Sequence, residues 1–283
     1  MSKSKERIRE SQLQYKKGLG QNFIYDEALL AQLAELSGVT PEDDVLEIGP
    51  GVGSLTQQLC KRAGHVLSVE LDERLIPLLQ AYMADYPNFT LVQGDIMSLN
   101  LQELTAGLRK PFSAVANIPY YITTPLITAL LGAGLPLKRL ALMVQKEVAE
   151  KLTAQPGDEG WGMLPLRCQY YGEPRLALEV PAACFTPPPK VDSAFVIIPM
   201  RETPAVSVKD EKRFFQVAAA AFALRRKTMV NCLAAALHLE RADALSLMAE
   251  AGLDERIRGE RLTLEELGRL SDILTDREKE AKV

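Results

Sequence analysis

Hydrophobic residues in this chain fall into short runs that alternate between two periods. Val45-Leu46-Glu47-Ile48, Val66-Leu67-Ser68-Val69, Phe89-Thr90-Leu91-Val92, Ser113-Ala114-Val115-Ala116 and Leu140-Ala141-Leu142-Met143-Val144 are compact and rich in small or branched side chains. They read as buried strands. Between them the apolar positions recur every three or four residues. Residues 26–37 place Leu29, Leu30, Leu33 and Leu36 on one side, with Gly38 positioned to end the helix. Helices are likewise expected over 54–63, over 73–84 behind Asp72 as N-cap, and over 125–131. Two late strands follow at 176–180 and 194–198. Such alternation implies a mainly parallel sheet covered on both faces.

Near Pro199–Pro204 the pattern changes. From Lys209 onward only helical periodicity remains, over 214–226, 228–237, 242–251 and 264–274, with a charged tail expected to fray. The expected organisation is an N-terminal arm over 1–25, an α/β domain over 26–203 and a small all-helical domain over 204–283.

Composition narrows the class. Of 283 residues, 47% are hydrophobic and 25% charged, as in an ordinary globular protein. Cys60, Cys168, Cys184 and Cys232 are scattered, and with only two histidines no zinc or iron site suggests itself. No apolar stretch approaches the roughly 20 residues of a membrane span, and the first 20 residues lack the apolar core of a signal peptide. A cytoplasmic monomer is expected, without metal and without membrane. The net charge of −4 speaks mildly against a nucleic-acid partner. That charge is unevenly spread, however. Residues 1–20 hold six Lys/Arg against two Glu, a net +4, so the remainder carries −8. Arg225-Arg226-Lys227 forms a second basic knot, and local patches decide phosphate binding.

The chemistry sits at strand ends. Glu47-Ile48-Gly49-Pro50-Gly51-Val52-Gly53 bridges the first strand and the next helix, where glycines let the backbone approach a ligand closely. Glu70 ends the second strand, placed to accept from both ribose hydroxyls of an adenosine cofactor. Asp95 follows the third strand and can accept from an adenine amino group. The loop lacks the Lys-Ser/Thr of a P-loop, which leaves a dinucleotide or S-adenosylmethionine as the cofactor.

Asn117-Ile118-Pro119-Tyr120 ends the fourth strand. Nothing in it helps hydride transfer, but it suits a planar amine. Asn117 Oδ1 and the Ile118 carbonyl can accept the two N–H bonds of an exocyclic nitrogen whose lone pair is otherwise delocalised. Pro119 fixes the direction of that carbonyl, and Tyr120 offers a face on which a base can stack. An amine attacking an electrophilic methyl needs positioning and no strong base, since its proton is lost to water afterwards.

With these residues the chain resembles the bacterial 16S ribosomal RNA adenine N6-dimethyltransferases, over Leu19 to about Leu274. The likeness is carried by residues 19–23, 47–53, Asn117–Tyr120, Gln145–Ala149 and the run Phe185-Thr186-Pro187-Pro188-Pro189-Lys190-Val191-Asp192-Ser193. It implies a Rossmann-like S-adenosylmethionine-dependent methyltransferase sheet, and dimethylation of two adjacent adenosines in a 16S rRNA hairpin during small-subunit maturation. Carried over by position, it implies cofactor contacts from Asn22, Ile24, Gly49, Gly51, Gly53, Glu70, Asp95 and Asn117. Phe185 would be a second aromatic wall opposite Tyr120, Gln145–Ala149 largely structural, and Arg225, Arg226 and Lys227 RNA contacts. Ile24, Trp161 and Met163-Leu164-Pro165 depart from the family's usual residues. A DNA adenine methylase and a non-catalytic assembly factor are the alternative readings. The all-helical C-terminal domain weighs against the first, and intact Glu70, Asp95, Asn117 and Tyr120 against the second.

Overall fold

The computed structural model describes residues 20–224 and 226–280. Nearly all of the basic arm, and Arg225 of the basic knot, lie outside them. The described chain divides into two compact units, one of residues 20–150 and 173–200, the other of 151–172 and 201–280.

The first unit opens with β1 (Phe23–Ile24) and helix α1 (Glu27–Leu36), whose N-cap Asp26 accepts from the Ala28 and Leu29 amides. Then β2 (Asp44–Ile48), β3 (His65–Glu70), β4 (Phe89–Gln93), β5 (Phe112–Asn117) and β6 (Leu137–Gln145) pair in parallel. They are joined in turn by α2 (Ser54–Cys60), α3 (Ile76–Tyr82), the short α4 (Leu101–Leu104) and α5 (Thr123–Gly132). Helix α6 (Lys146–Leu152) follows β6. Later come β7 (Arg175–Val180), β8 (Phe185–Thr186) and β9 (Ser193–Pro199). β9 lies between β6 and β7, antiparallel to both, and completes a seven-stranded sheet in the order β4-β3-β2-β5-β6-β9-β7. Each strand read from the sequence is present. β2 is buried along its whole length, and its two acidic residues are satisfied inside, Asp44 by the Arg109 side chain and Glu47 by the Ser68 hydroxyl. Edge strands β4 and β7 are only partly buried.

Strand order reverses between β2 and β5. From β2 the chain moves outward to β3 and β4, then returns to β5 on the other side. The carboxyl ends of β2 and β5 therefore flank a crevice, the place where open α/β sheets hold ligands. Across from it, β1 pairs antiparallel with β8, so that Phe23 faces Thr186 and Ile24 faces Phe185. This small ribbon fixes the N-terminal segment.

The second unit is helical: α7 (Met163–Tyr171), α8 (Glu211–Ala223), α9 (Met229–Leu237), α10 (Arg241–Glu250) and α11 (Leu264–Glu280). Its core joins Trp161, Leu166 and Tyr170 to Phe214, Leu233 and Leu267. The division expected at residue 203 thus needs correction for 151–172. This stretch packs with the C-terminal helices because its bulky side chains have their partners there, with Tyr170 stacked on Phe214 at 4.9 Å between centroids. The last helix is longer than the expected 264–274. α11 continues to Glu280, held by an Arg277–Glu250 ion pair at 2.6 Å.

Candidate active site

A cavity of about 190 Å³ opens at the carboxyl ends of β2, β3 and β5. Three segments build it. The first is the turn after β2, where Gly49, Gly51 and Gly53 have φ of 70°, 61° and 80°. Only glycine adopts this left-handed conformation without strain. At Gly51 a Cβ would also stand 2.6 Å from the Phe23 ring, so the residue is doubly constrained. Gly53 carries a packing constraint as well. It does not line the cavity, and a Cβ there would meet Tyr82 and Leu79 of α3 at 3.1 and 3.2 Å. Its small size lets α3 pack against the start of α2.

The second segment is the end of β3. Glu70 is 6% exposed, and its two oxygens accept from the Gly51 amide at 3.0 Å and the Asp72 amide at 2.8 Å. Burial raises its pKa against those backbone hydrogen bonds. One bond to each oxygen leaves lone pairs on both for a diol. Beside it, Asp95 lies exposed at the rim, oriented by the Met97 amide at 2.9 Å. Leu71 and Met97, both partly exposed, line the same part of the cavity with Ile96. These apolar positions carried no signal in the sequence.

The third segment is the end of β5. Asn117 Nδ2 donates to the Asn22 carbonyl at 3.1 Å. That bond assigns the amide's orientation and leaves Oδ1 as its acceptor. Asn22 Nδ2 in turn donates to the Gly20 carbonyl at 3.2 Å. The Ile118 amide is taken by the Met143 carbonyl, and Pro119, at φ −57° and ψ 129°, directs the chain away from the strand. Tyr120 is half-buried, with its hydroxyl 2.6 Å from Ser193 Oγ, so its ring is anchored at both ends. Burial raises its pKa, and the Ser193 bond partly offsets the rise.

The N-terminal segment covers these parts. Gln21 Nε2 donates to Asp72 Oδ2 at 2.9 Å. Hydrogen bonding to Arg74 holds the Asp72 carboxyl down at about 2, outweighing its burial. Two buried polar groups in the lining add to the site. Ser54 Oγ finds no hydrogen-bond partner among the described residues. Glu47 is fully buried, and burial pushes its carboxyl up to about 7. Ser68 donates to it at 2.6 Å.

Residues 12–276 match the sequence family described as Ribosomal RNA adenine dimethylase. The chain belongs to this family. It is 40% identical over 275 residues to the ribosomal RNA small subunit methyltransferase A of Alkaliphilus oremlandii, with 96% of each chain covered. Among solved structures, the 23S rRNA methyltransferase ErmE is 28% identical at a TM-score of 0.69, covering 90% of this chain and all of that one. A dimethyladenosine transferase from Plasmodium falciparum, 24% identical at a TM-score of 0.77 over 91% of this chain and 98% of its own, shares the fold. The protein is thus a methyltransferase enzyme of the ribosomal RNA adenine dimethylases, with ribosomal RNA as substrate.

Around that cavity the dimethylase brings together Asn22, Ile24, Gly49, Gly51, Glu70, Asp95 and Asn117 with Ile118, Pro119 and Tyr120. Phe185, expected as the second aromatic wall, lies behind that lining. Its side chain is 3% exposed and packs with Ile24, Leu30 and Phe195 instead of lining the cavity. Pairing of β8 with β1 turns that ring into the core. Arg226 and Lys227 are exposed in the helical unit. An isolated antiparallel bridge between Thr228 and Arg258 ties the backbone after this stretch to the loop before α11, which sequence separation had concealed.

Proposed function

We propose that this dimethylase transfers methyl groups from S-adenosylmethionine to the N6 amines of two adjacent adenosines in a 16S rRNA hairpin, giving N6,N6-dimethyladenosines as the small subunit matures. The observation that carries the reading is the committed amide of Asn117. With Nδ2 bonded to Asn22, Oδ1 is left at the cavity beside the anchored Tyr120 ring.

The residues fit the cofactor. Glu70 keeps a lone pair on each oxygen for a ribose diol, Asp95 can accept from an adenine amine, and the left-handed glycine turn leaves room where any Cβ at Gly51 would clash. Ser54 Oγ is a buried donor awaiting an acceptor. When bound there, S-adenosylmethionine supplies an electrophilic methyl group.

This chain's own residues prepare the amine. Asn117 Oδ1 and the Ile118 carbonyl accept from N6, which localises its lone pair. Pro119 holds that carbonyl in place, and Tyr120 stacks on the base that has left its helix. After a first methylation one N–H remains, and one acceptor suffices to hold it. No general base is required.

Small-subunit specificity draws support from the name borne by the Alkaliphilus relative, and RNA positioning from the exposed cations Arg226 and Lys227. Arg225 extends the same knot in sequence. The test is tritium transfer from labelled S-adenosylmethionine to undermethylated small subunits, with large subunits and adenine-rich DNA as parallel substrates. Label should appear as dimethyladenosine in 16S RNA, and label in 23S RNA or DNA instead would overturn the assignment. In the same assay Asn117→Ala should slow single-turnover transfer on the order of 10²–10³-fold with little change in RNA binding.

A further inference from the structure

Directly after the residue that stacks on the target base stands a second aromatic, Tyr121, in quite different surroundings. Tyr120 is half-buried and bonded through its hydroxyl to Ser193. Tyr121 is 57% exposed, the only aromatic among the large exposed hydrophobic side chains of the described residues. It nevertheless lines the same cavity. The two share one 3-10 turn, Tyr120–Ile122, whose Ile122 amide returns to the Pro119 carbonyl at 3.1 Å. The turn places one ring inside the site and the other at its mouth.

Tyr121 is also held against the N-terminal segment. Gly20 has φ +60°, and a Cβ there would stand 3.2 Å from Pro119 Cβ and 3.5 and 3.6 Å from two carbons of the Tyr121 ring. The ring thus rests beside a backbone without a side chain. One side of it is supported, and the rest is left to solvent. Exposing so much apolar surface costs the free protein and does nothing for its core.

An enzyme that draws a base into a pocket breaks two stacks, that of the target and that of the flanking nucleotide left behind. An aromatic face at the rim compensates the second, as stacking platforms do for single strands. We propose that Tyr121 is a positioning residue that stacks on the base flanking the target adenosine, holding the strand open while Tyr120 receives the target. This rests on the proposed reaction and extends it to a second nucleotide.

The test crosses a protein change with an RNA change. Small subunits are reconstituted with 16S RNA in which the nucleotide on either side of the target adenosine is replaced by an abasic residue. Single-turnover transfer and RNA affinity are then measured for the wild-type enzyme and for Tyr121→Ala and Tyr121→Phe. On intact RNA, Tyr121→Ala should lose about 10–100-fold in kcat/KM, the range expected from one stacked base, and Tyr121→Phe should restore most of it. On RNA abasic at one of the two flanking positions, the wild type should suffer a similar loss and Tyr121→Ala almost no further one. An equal penalty for Tyr121→Ala on all RNAs would overturn the proposal and mean that Tyr121 touches the target base or merely supports Gly20. Absence of transfer to any RNA by the wild type would overturn the reaction itself and this inference with it.

Discussion

At the scale of single residues, two carboxylates that differ in position differ in duty. Glu70 sits where its backbone partners leave one lone pair per oxygen, so its value lies in a ligand. Glu70→Ala should weaken S-adenosylmethionine binding by about 1.5–3 kcal/mol, the range for hydrogen bonds to a charged group. Calorimetry on the folded variant checks this, and an unchanged affinity would remove Glu70 from the site. Glu47, one layer deeper, has its pKa raised from 4.5 to about 7 by burial, with the Glu70 carboxylate adding to the rise against the Ser68 hydrogen bond. The folded protein therefore holds this proton to a higher pH than the unfolded chain does. The stabilisation is complete below about pH 4.5 and is lost as pH rises through 7, a change on the order of 3 kcal/mol at most. Glu47→Gln cannot titrate, so its melting temperature in the absence of cofactor should decline less between about pH 5 and 8 than that of the wild type. Parallel declines would show that Glu47 keeps one protonation state across that range.

At the scale of elements, the strand ends were legible because a strand that must be buried on both faces leaves few residue types to choose from. Glu47, Glu70 and Asn117 stand out at the ends of β2, β3 and β5 for that reason. What the sequence could not convey was direction. Gly53 and Phe185 belong to the recognisable motifs, yet one faces α3 and the other the core. A motif records that a residue type is needed, and the need can be packing as well as chemistry. Helix α7 was missed because Pro165 within Met163–Tyr171 reads as a breaker, although proline is tolerated in a first helical turn. For Phe185 the consequence is measurable. Phe185→Ala should destabilise the fold by about 3–5 kcal/mol as a buried aromatic removed from the core. Tyr120→Ala should alter transfer more than stability. Denaturation with urea separates the two, and a Phe185→Ala protein as stable as the wild type but unable to methylate would return that ring to the substrate.

At the scale of the whole molecule, charge poses the problem. A chain of net charge −4 must find a polyanion, so attraction has to come from patches. Most of the second unit's helices were readable from periodicity, but the contribution of 151–172 to its core was not, since Tyr170 and Phe214 stand far apart in sequence. The same holds for its basic surface. The antiparallel bridge from Thr228 to Arg258 ties the exposed Arg226 and Lys227 to the loop before α11, which carries two further exposed arginines, Arg256 and Arg258. Acidic neighbours limit the patch, with Glu260 lying 3.4 Å from Arg258. Cations bound to phosphates there would position RNA without reading its sequence, and each would release counterions. Replacing both Arg226 and Lys227 by Ala should therefore weaken binding to small-subunit particles. It should also flatten the plot of log affinity against log salt by about 0.7–0.9 for each phosphate no longer neutralised. Single-turnover transfer at saturating enzyme should fall much less, because the amine is handled by Asn117 in the other unit. Salt titrations of wild type and double variant decide the matter, and identical slopes would mean that these cations face solvent in the complex and that the RNA is held elsewhere.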